Sequence, residues 1–208
     1  MTAGEPARST PIKPRDDVLV SVCFGDLSSD TCTFDAITKL ALEIGTKFRF
    51  YEIIVLVEET RKDTYLPLIH QVNNLRLFTV RDGTAFYRKR VIAAEEAIGD
   101  VLLLTSATEL AGINAIEMIK HAVDKQSAVL ATRGSKGGHR SVGALLVLLG
   151  RMAGFTVNLH DLQTLALPRT LLNQLLAHPD PDLALRFPPR DVQVPLALMP
   201  VAPGVSMQ

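Results

Sequence analysis

Little in this sequence pulls it toward a specialised class. Cysteine is scarce: Cys23 and Cys32 are the only two, and their spacing fits neither a zinc site nor a disulfide framework. They read as reduced thiols of a cytoplasmic protein. Neither sign of charge is in excess, with 22 basic and 22 acidic residues, so no net field favours nucleic acid or an anionic membrane. The longest strongly apolar stretch, Val142 to Leu149, falls far short of the roughly 20 residues that span a bilayer. No signal peptide is visible, because Met1 to Asp17 is polar and carries Pro6, Pro11 and Pro14, a composition that reads as a loose tail. Internal repeats are lacking. His70, His121, His139 and His178 share no ligand spacing, so no metal is assigned to them. No Gly-x-Gly-x-x-Gly follows a strand and opens a helix, which disfavours a Rossmann dinucleotide enzyme. No aspartate ends the third strand candidate as a receiver domain would need.

What is present alternates. Short aliphatic runs at 17–24, 51–57, 75–80, 101–105 and 127–132 read as strands, several of them nearly continuous in apolar character. That is how strands buried on both faces of a parallel sheet look. Between them lie helical patterns: Phe34, Ile37, Leu40, Ala41 and Ile44, ending at Gly45; a short helix over 63–71, with Pro67 in its first turn; and a long one over 85–98. A fourth is capped by Asn114 and buries Ile116, Ile119 and Val123. A glycine-rich basic loop, 133–140, follows the fifth strand. An apolar helix is expected over 142–153 and a strand over 162–167, and Pro168 opens a helix through Leu176. From His178 onward, prolines exclude long regular structure. The expected organisation is a tail over 1–16, one α/β domain over 17–177, a three-layer sandwich with a mostly parallel sheet, and a proline-rich tail over 178–208.

In open parallel sheets, ligands bind outside the carboxyl ends of the strands. The polar breaks there are Asp26 after the first strand, Glu58-Glu59-Thr60 after the second, Arg81-Asp82-Gly83-Thr84 after the third, Ser106-Ala107-Thr108-Glu109 after the fourth, and Arg133 to Lys136 after the fifth. Glu58 suits a hydrogen bond to a ribose or base, while Glu59 reads as a strand end facing water. Arg133 and Lys136 suit a phosphate clamp, with Arg81 as another candidate. His160-Asp161 is the only pairing that suggests a base titrating near neutrality, and a surface loop is the plainer reading of it.

In order, Tyr51-Glu-Ile-Ile-Val with its acidic turn, the basic turn at Arg81 leading through a helix to Gly99-Asp100, the strand Val101 to Thr105 with its polar end, and Ala128 to Arg133 resemble family 2 glycosyltransferases of the GT-A fold. The nearest branch is that of the dolichyl- or polyprenyl-phosphate sugar synthases. The resemblance covers roughly residues 17 to 177. It implies a GT-A-like, Rossmann-like sandwich, and transfer of a sugar from a nucleoside-diphosphate donor to a lipid-phosphate or glycan acceptor, in polysaccharide biosynthesis at the cytoplasmic face of a membrane. Carried onto this chain, the nucleotide-sugar site is Asp26, Glu58, Asp82, Ser106, Thr108, Arg133 and Lys136. Where the family has Asp-x-Asp, this chain has Ser106-Ala107-Thr108, and neutral hydroxyls are poor anchors for a hard dication. Glu109 is adjacent, but side chains alternate along a strand end, so it is expected to point away from Thr108. No cofactor is therefore assigned and a divalent metal is doubted. The competing expectation is a degenerate relative that keeps the fold as a binding or assembly subunit beside an active glycosyltransferase.

Overall fold

A computed structural model of the chain describes residues 14–25, 27, 31–132, 150, 152–155 and 163–201. Its strands are β1 (Arg15–Phe24), β2 (Phe48–Glu58), β3 (Leu75–Val80), β4 (Val101–Thr105), β5 (Ala128–Thr132), β6 (Leu165–Pro168) and β7 (Leu196–Pro200). Its helices are α1 (Thr31–Lys47), α2 (Lys62–Gln71), α3 (Phe86–Glu96), α4 (Ala115–Lys125), α5 (Arg169–Leu176) and α6 (Pro181–Arg186). All seven strands form one sheet in the order β3-β2-β1-β4-β6-β5-β7. Only β6 runs against its neighbours, antiparallel to β4 and β5, and the other pairings are parallel.

The apolar runs become strands because both of their faces are covered. Val20, Val22, Ile53, Val55, Val57 and Leu103 point to one side, where α1, α2 and α4 supply Ile37, Ile44, Tyr65, Leu68 and Ile119. Cys23, Ile54, Leu56, Leu102 and Leu104 point to the other, against Val91 and Ala94 of α3, Leu172 and Leu175 of α5, and Leu185 of α6. The two-residue period of a strand sorts one continuous run into two cores. The result is the expected three-layer sandwich. Among the described residues, no helix is long and apolar enough to cross a membrane.

Several boundaries differ from expectation. Helix α1 passes through Gly45 to Lys47. A side chain at position 45 would meet the Tyr51 ring at 3.2 Å, so this glycine permits close packing of α1 on β2 rather than ending the helix. Pro67 lies beyond the first turn of α2, where its missing N–H costs a helix bond. The buried Tyr65 and Leu68 hold the helix regardless. The segment from 178 onward, expected as a tail, contributes α6 and the edge strand β7. Its prolines keep those pieces short without excluding regular structure. At the other end, β1 begins at Arg15, inside the expected N-terminal tail. Of the apolar helix expected over 142–153, only 150, 152 and 153 are described.

Candidate functional site

The parallel strands place the ends of β1, β2, β3, β4 and β5 on one edge, and antiparallel β6 brings its first residues, preceded by Gln163 and Thr164, to the same edge. Three clusters form there.

The first joins the ends of β2 and β3. Lys89, from the first turns of α3, places Nζ 3.0 Å from Glu58 Oε1. This ion pair, helped by the Gly83 N–H, holds the Glu58 carboxyl below its ordinary range. Gly83 has φ +74°, a left-handed conformation that glycine adopts without strain. The turn is closed by Thr84, whose N–H donates to Arg81 O at 3.1 Å. Asp82 Oδ1 accepts from Thr60 Oγ1 at 3.0 Å and from Thr60 N at 3.3 Å, tying the two loops together.

The second cluster is the hydroxyl pair that stands where a metal-binding Asp-x-Asp was expected. Ser106 Oγ and Thr108 Oγ1 lie 3.0 Å apart. Ser106 is buried and Thr108 exposed.

The third lies beneath that pair. Glu109 is turned inward and Thr108 outward, though not by strand alternation, since β4 ends at Thr105 and residues 107–109 form a turn. Its Oε1 accepts the Gln163 N–H at 2.9 Å and its Oε2 accepts the Thr164 hydroxyl at 2.5 Å. Thr164 Oγ1 also lies 2.8 Å from Thr105 Oγ1. Arg90, buried under the same peptide, donates from Nη1 to Gln163 O at 2.5 Å and lies 5.6 Å from the centre of the Phe86 ring. Its Nε has no hydrogen-bond partner. Burial lowers its pKa to about 10.

The edge therefore brings together Glu58 and Asp82 at the ends of β2 and β3, and Ser106 and Thr108 at the end of β4. One strand, β1, separates the two groups, a gap of roughly 10 Å. Asp26, Arg133, Lys136 and the His160-Asp161 pair lie outside the described residues. Lys89 and Arg90 were missed by sequence reasoning, since a basic run inside a helix reads as solvated surface. The available signal was that α3 carries Arg88, Lys89 and Arg90 near its N-terminus and Glu95 and Glu96 near its C-terminus, opposite to what the helix dipole favours.

Gly99-Asp100, part of the sequence resemblance, is at the other edge and is structural there. The Gly99 N–H donates to Ser21 Oγ at 2.8 Å, and Ser21 in turn donates to Glu52 Oε1 at 2.5 Å. Asp100 Oδ2 accepts the Leu19 N–H at 2.9 Å. Arg169 donates to the carbonyls of Gly99 and Ala97 at 2.9 and 2.7 Å, capping the end of α3.

A divalent cation would need anionic oxygen at this edge. Among the described residues, no group of three or more His, Cys, Asp and Glu comes together. Three described carboxylates there are engaged: Glu58 by Lys89, Asp82 by Thr60, and Glu109 by Gln163 and Thr164.

No protein-family model and no curated protein matches the sequence. Solved structures do match the coordinates. One is 4-diphosphocytidyl-2C-methyl-D-erythritol synthase from Anaerococcus prevotii, at 10% identity, covering 89% of this chain and 90% of that one with a TM-score of 0.61. The fold is GT-A-like. Glucosyl-3-phosphoglycerate synthase from M. tuberculosis matches at 14% identity over 91% of this chain and 73% of that one, TM-score 0.59. The same M. tuberculosis enzyme in complex with Mn²⁺, uridine diphosphate and glucosyl-3-phosphoglycerate matches at 15% identity over 89% and 70%, TM-score 0.55. At these identities the likeness concerns the fold.

Proposed function

We propose that this chain binds a nucleoside-diphosphate sugar along the carboxyl edge of its sheet and transfers the sugar without a carboxylate-held metal, as a family 2-like glycosyltransferase. The observation that carries the reading is the gathering of Glu58, Asp82, Lys89, Ser106 and Thr108 on that edge of a GT-A-like sheet. Glu58, kept ionised by Lys89, is the acceptor for a ribose hydroxyl or a base N–H. Ser106 and Thr108 give hydroxyl contacts to the diphosphate or the sugar. Arg133 and Lys136 directly follow β5, which ends on this edge, and guanidinium and ammonium groups supply the charge a departing diphosphate requires. The acceptor is a lipid phosphate or a glycan. The apolar stretch Val142 to Leu149 suits a lipid-linked one and a peripheral membrane contact. An acceptor that is already an anion would need no general base.

A second reading, a binding or assembly subunit without turnover, is favoured by the inward-turned Glu109. Losing metal stabilisation worth several kcal/mol costs on the order of a hundredfold or more in rate. Calorimetry with UDP, GDP and their sugars, with and without Mn²⁺, combined with an assay for sugar release, separates the readings. Binding indifferent to Mn²⁺ with sugar release is the expected outcome. Binding without release supports the subunit, and absence of binding to any donor overturns the donor site itself.

A further inference from the structure

A buried charge is costly unless a counter-charge or hydrogen bonds surround it, and Arg90 is only partly provided for. It is 4% exposed. Its Nη1 binds the Gln163 carbonyl, the Phe86 ring lies to one side, and Nε is buried without a partner. Among the described residues no carboxylate pairs with it. Glu109 is near enough to favour its charged form, but both oxygens of that carboxylate are taken by Gln163 and Thr164. Burial brings the guanidinium down only to about 10, so the positive charge persists at neutral pH.

That charge sits beside the gap in the carboxyl edge. A Cβ added to Gly25, the residue after β1, would lie 3.4 Å from Arg90 Cγ and 3.7 Å from Arg90 N. Strand β1 is the one that separates Glu58 and Asp82 from Ser106 and Thr108. From there the side chain runs past β4 to the peptide that precedes β6, and its charge is felt by the Cys23 thiol in β1. Glu109 is tied down on the β6 side, against Gln163 and Thr164. Lys89, one residue before Arg90, spends its charge on Glu58. Arg90 has no such outlet.

We propose that Arg90 anchors the diphosphate of the donor by its charge, from beneath the surface, and so sets where the diphosphate lies: across the ends of β1 and β4, between the Glu58 cluster and the Ser106–Thr108 pair. This rests on the donor-site reading and deepens it. An anion there supplies the counter-charge that Arg90 lacks within the protein. Burial favours the arrangement, because water and salt screen a buried cation far less than a surface one. The cation is also fixed in advance by its packing on Gly25 and its bond to Gln163, so nothing need reorganise when charge gathers on the departing diphosphate. Arg90 is thus a positioning residue. Its hydrogen bond to the Gln163 carbonyl is kept throughout, and no bond forms or breaks at its atoms.

Calorimetric titration of the full chain with uridine, its monophosphate and its diphosphate tests this, by displacement where binding is weak. Arg90→Met should weaken the diphosphate about tenfold, the monophosphate less, and uridine by less than about twofold. Glu109→Gln keeps the shape and an acceptor for the Gln163 N–H while removing a buried negative charge. It should strengthen the diphosphate about threefold and leave uridine alone. Opposite signs that grow with the charge of the ligand cannot come from a disturbed fold. Arg90→Lys, which keeps the charge, should hold the parent's ratio of diphosphate to uridine affinity, and with Glu109→Gln it carries the test should Arg90→Met misfold. Equal losses for all three ligands, or a ratio unmoved by both Arg90→Met and Glu109→Gln, would overturn the proposal while the donor site stands. A parent that binds neither this series nor the guanosine one would bring down the donor site and this inference together.

Discussion

Arg90 and Glu109 grip opposite ends of one residue's backbone: the guanidinium binds the carbonyl of Gln163 and the carboxylate binds its N–H. They come from α3 and from the loop after β4, so the entry to β6 is held from two elements by two buried charges. Both side chains are buried rather than offered at the carboxyl edge as a ligand-binding group would be. Glu109→Ala is therefore expected to leave the Gln163 N–H without its acceptor and to cost the Thr164 hydroxyl one of its two partners. A loss of about 1–3 kcal/mol, read by urea denaturation, is the expected cost. A change below half a kcal/mol would mean that this carboxylate is not holding β6.

The Lys89–Glu58 pair makes a claim with a sign in pH. The folded carboxyl is held below its ordinary value, so the stabilisation is present at neutral pH. It is lost as pH falls below about 4.3, the usual glutamate value. Lys89→Met should be less stable than the parent at pH 7, and the gap should narrow in acid until the two melt alike. A gap of constant size from pH 7 to pH 3 would show that Lys89 acts through packing alone.

Two glycines should fail for different reasons. At position 99 an added Cβ would sit 2.5 Å from Ser21 Oγ, 2.7 Å from Ser21 N and 2.9 Å from Leu19 O, and two of those atoms are backbone. Gly99→Ala is expected to cost about 1–3 kcal/mol or more through overpacking. At position 83 nothing lies within 4 Å, but φ is +74°, so Gly83→Ala should cost roughly 1–2 kcal/mol of left-handed strain. Only the second should alter nucleotide binding strongly relative to its effect on thermal stability, because Gly83 shapes the Glu58 cluster.

If the hydroxyls at the end of β4 occupy a lost cation site, restoring acid should restore metal dependence. Ser106→Asp combined with Thr108→Asp is expected to make Mn²⁺ strengthen uridine diphosphate binding by about tenfold or more, roughly 1.4 kcal/mol, while Mn²⁺ leaves the parent unchanged. Calorimetric titration of both proteins reads this directly. An equal Mn²⁺ effect in parent and variant would end the argument that positions 106 and 108 decide metal use.

The layered fold was legible because it is written in local pattern. Runs such as Ile53 to Val57 and Leu102 to Leu104 have only one way to bury both faces, and the polar breaks after them mark the carboxyl edge. The reversed direction of β6 was not legible, since a short apolar strand carries no sign of its orientation. Nor was β7, whose proline-rich surroundings resemble a tail until a neighbouring strand satisfies its backbone. Within the site, Glu58 and Ser106 could be placed from strand ends alone. Lys89 and Arg90 could not, because what they do depends on which loop α3 faces after it packs. Gly99-Asp100 shows the reverse error, a sequence landmark whose work is steric and hydrogen-bonding at the end of the sheet opposite the carboxyl edge.

The direction of β6 has one more consequence. Because β5 leaves the sheet and β6 re-enters it as neighbouring strands on the same side, with the Ala131 N–H bonded to Thr164 O, the intervening stretch begins and finishes at almost one point. Lengthening or trimming it changes the closure entropy only logarithmically, and no strand need move to accommodate the difference. The length of that connection is thereby uncoupled from the register of the sheet, which is set by the strands on either side of it.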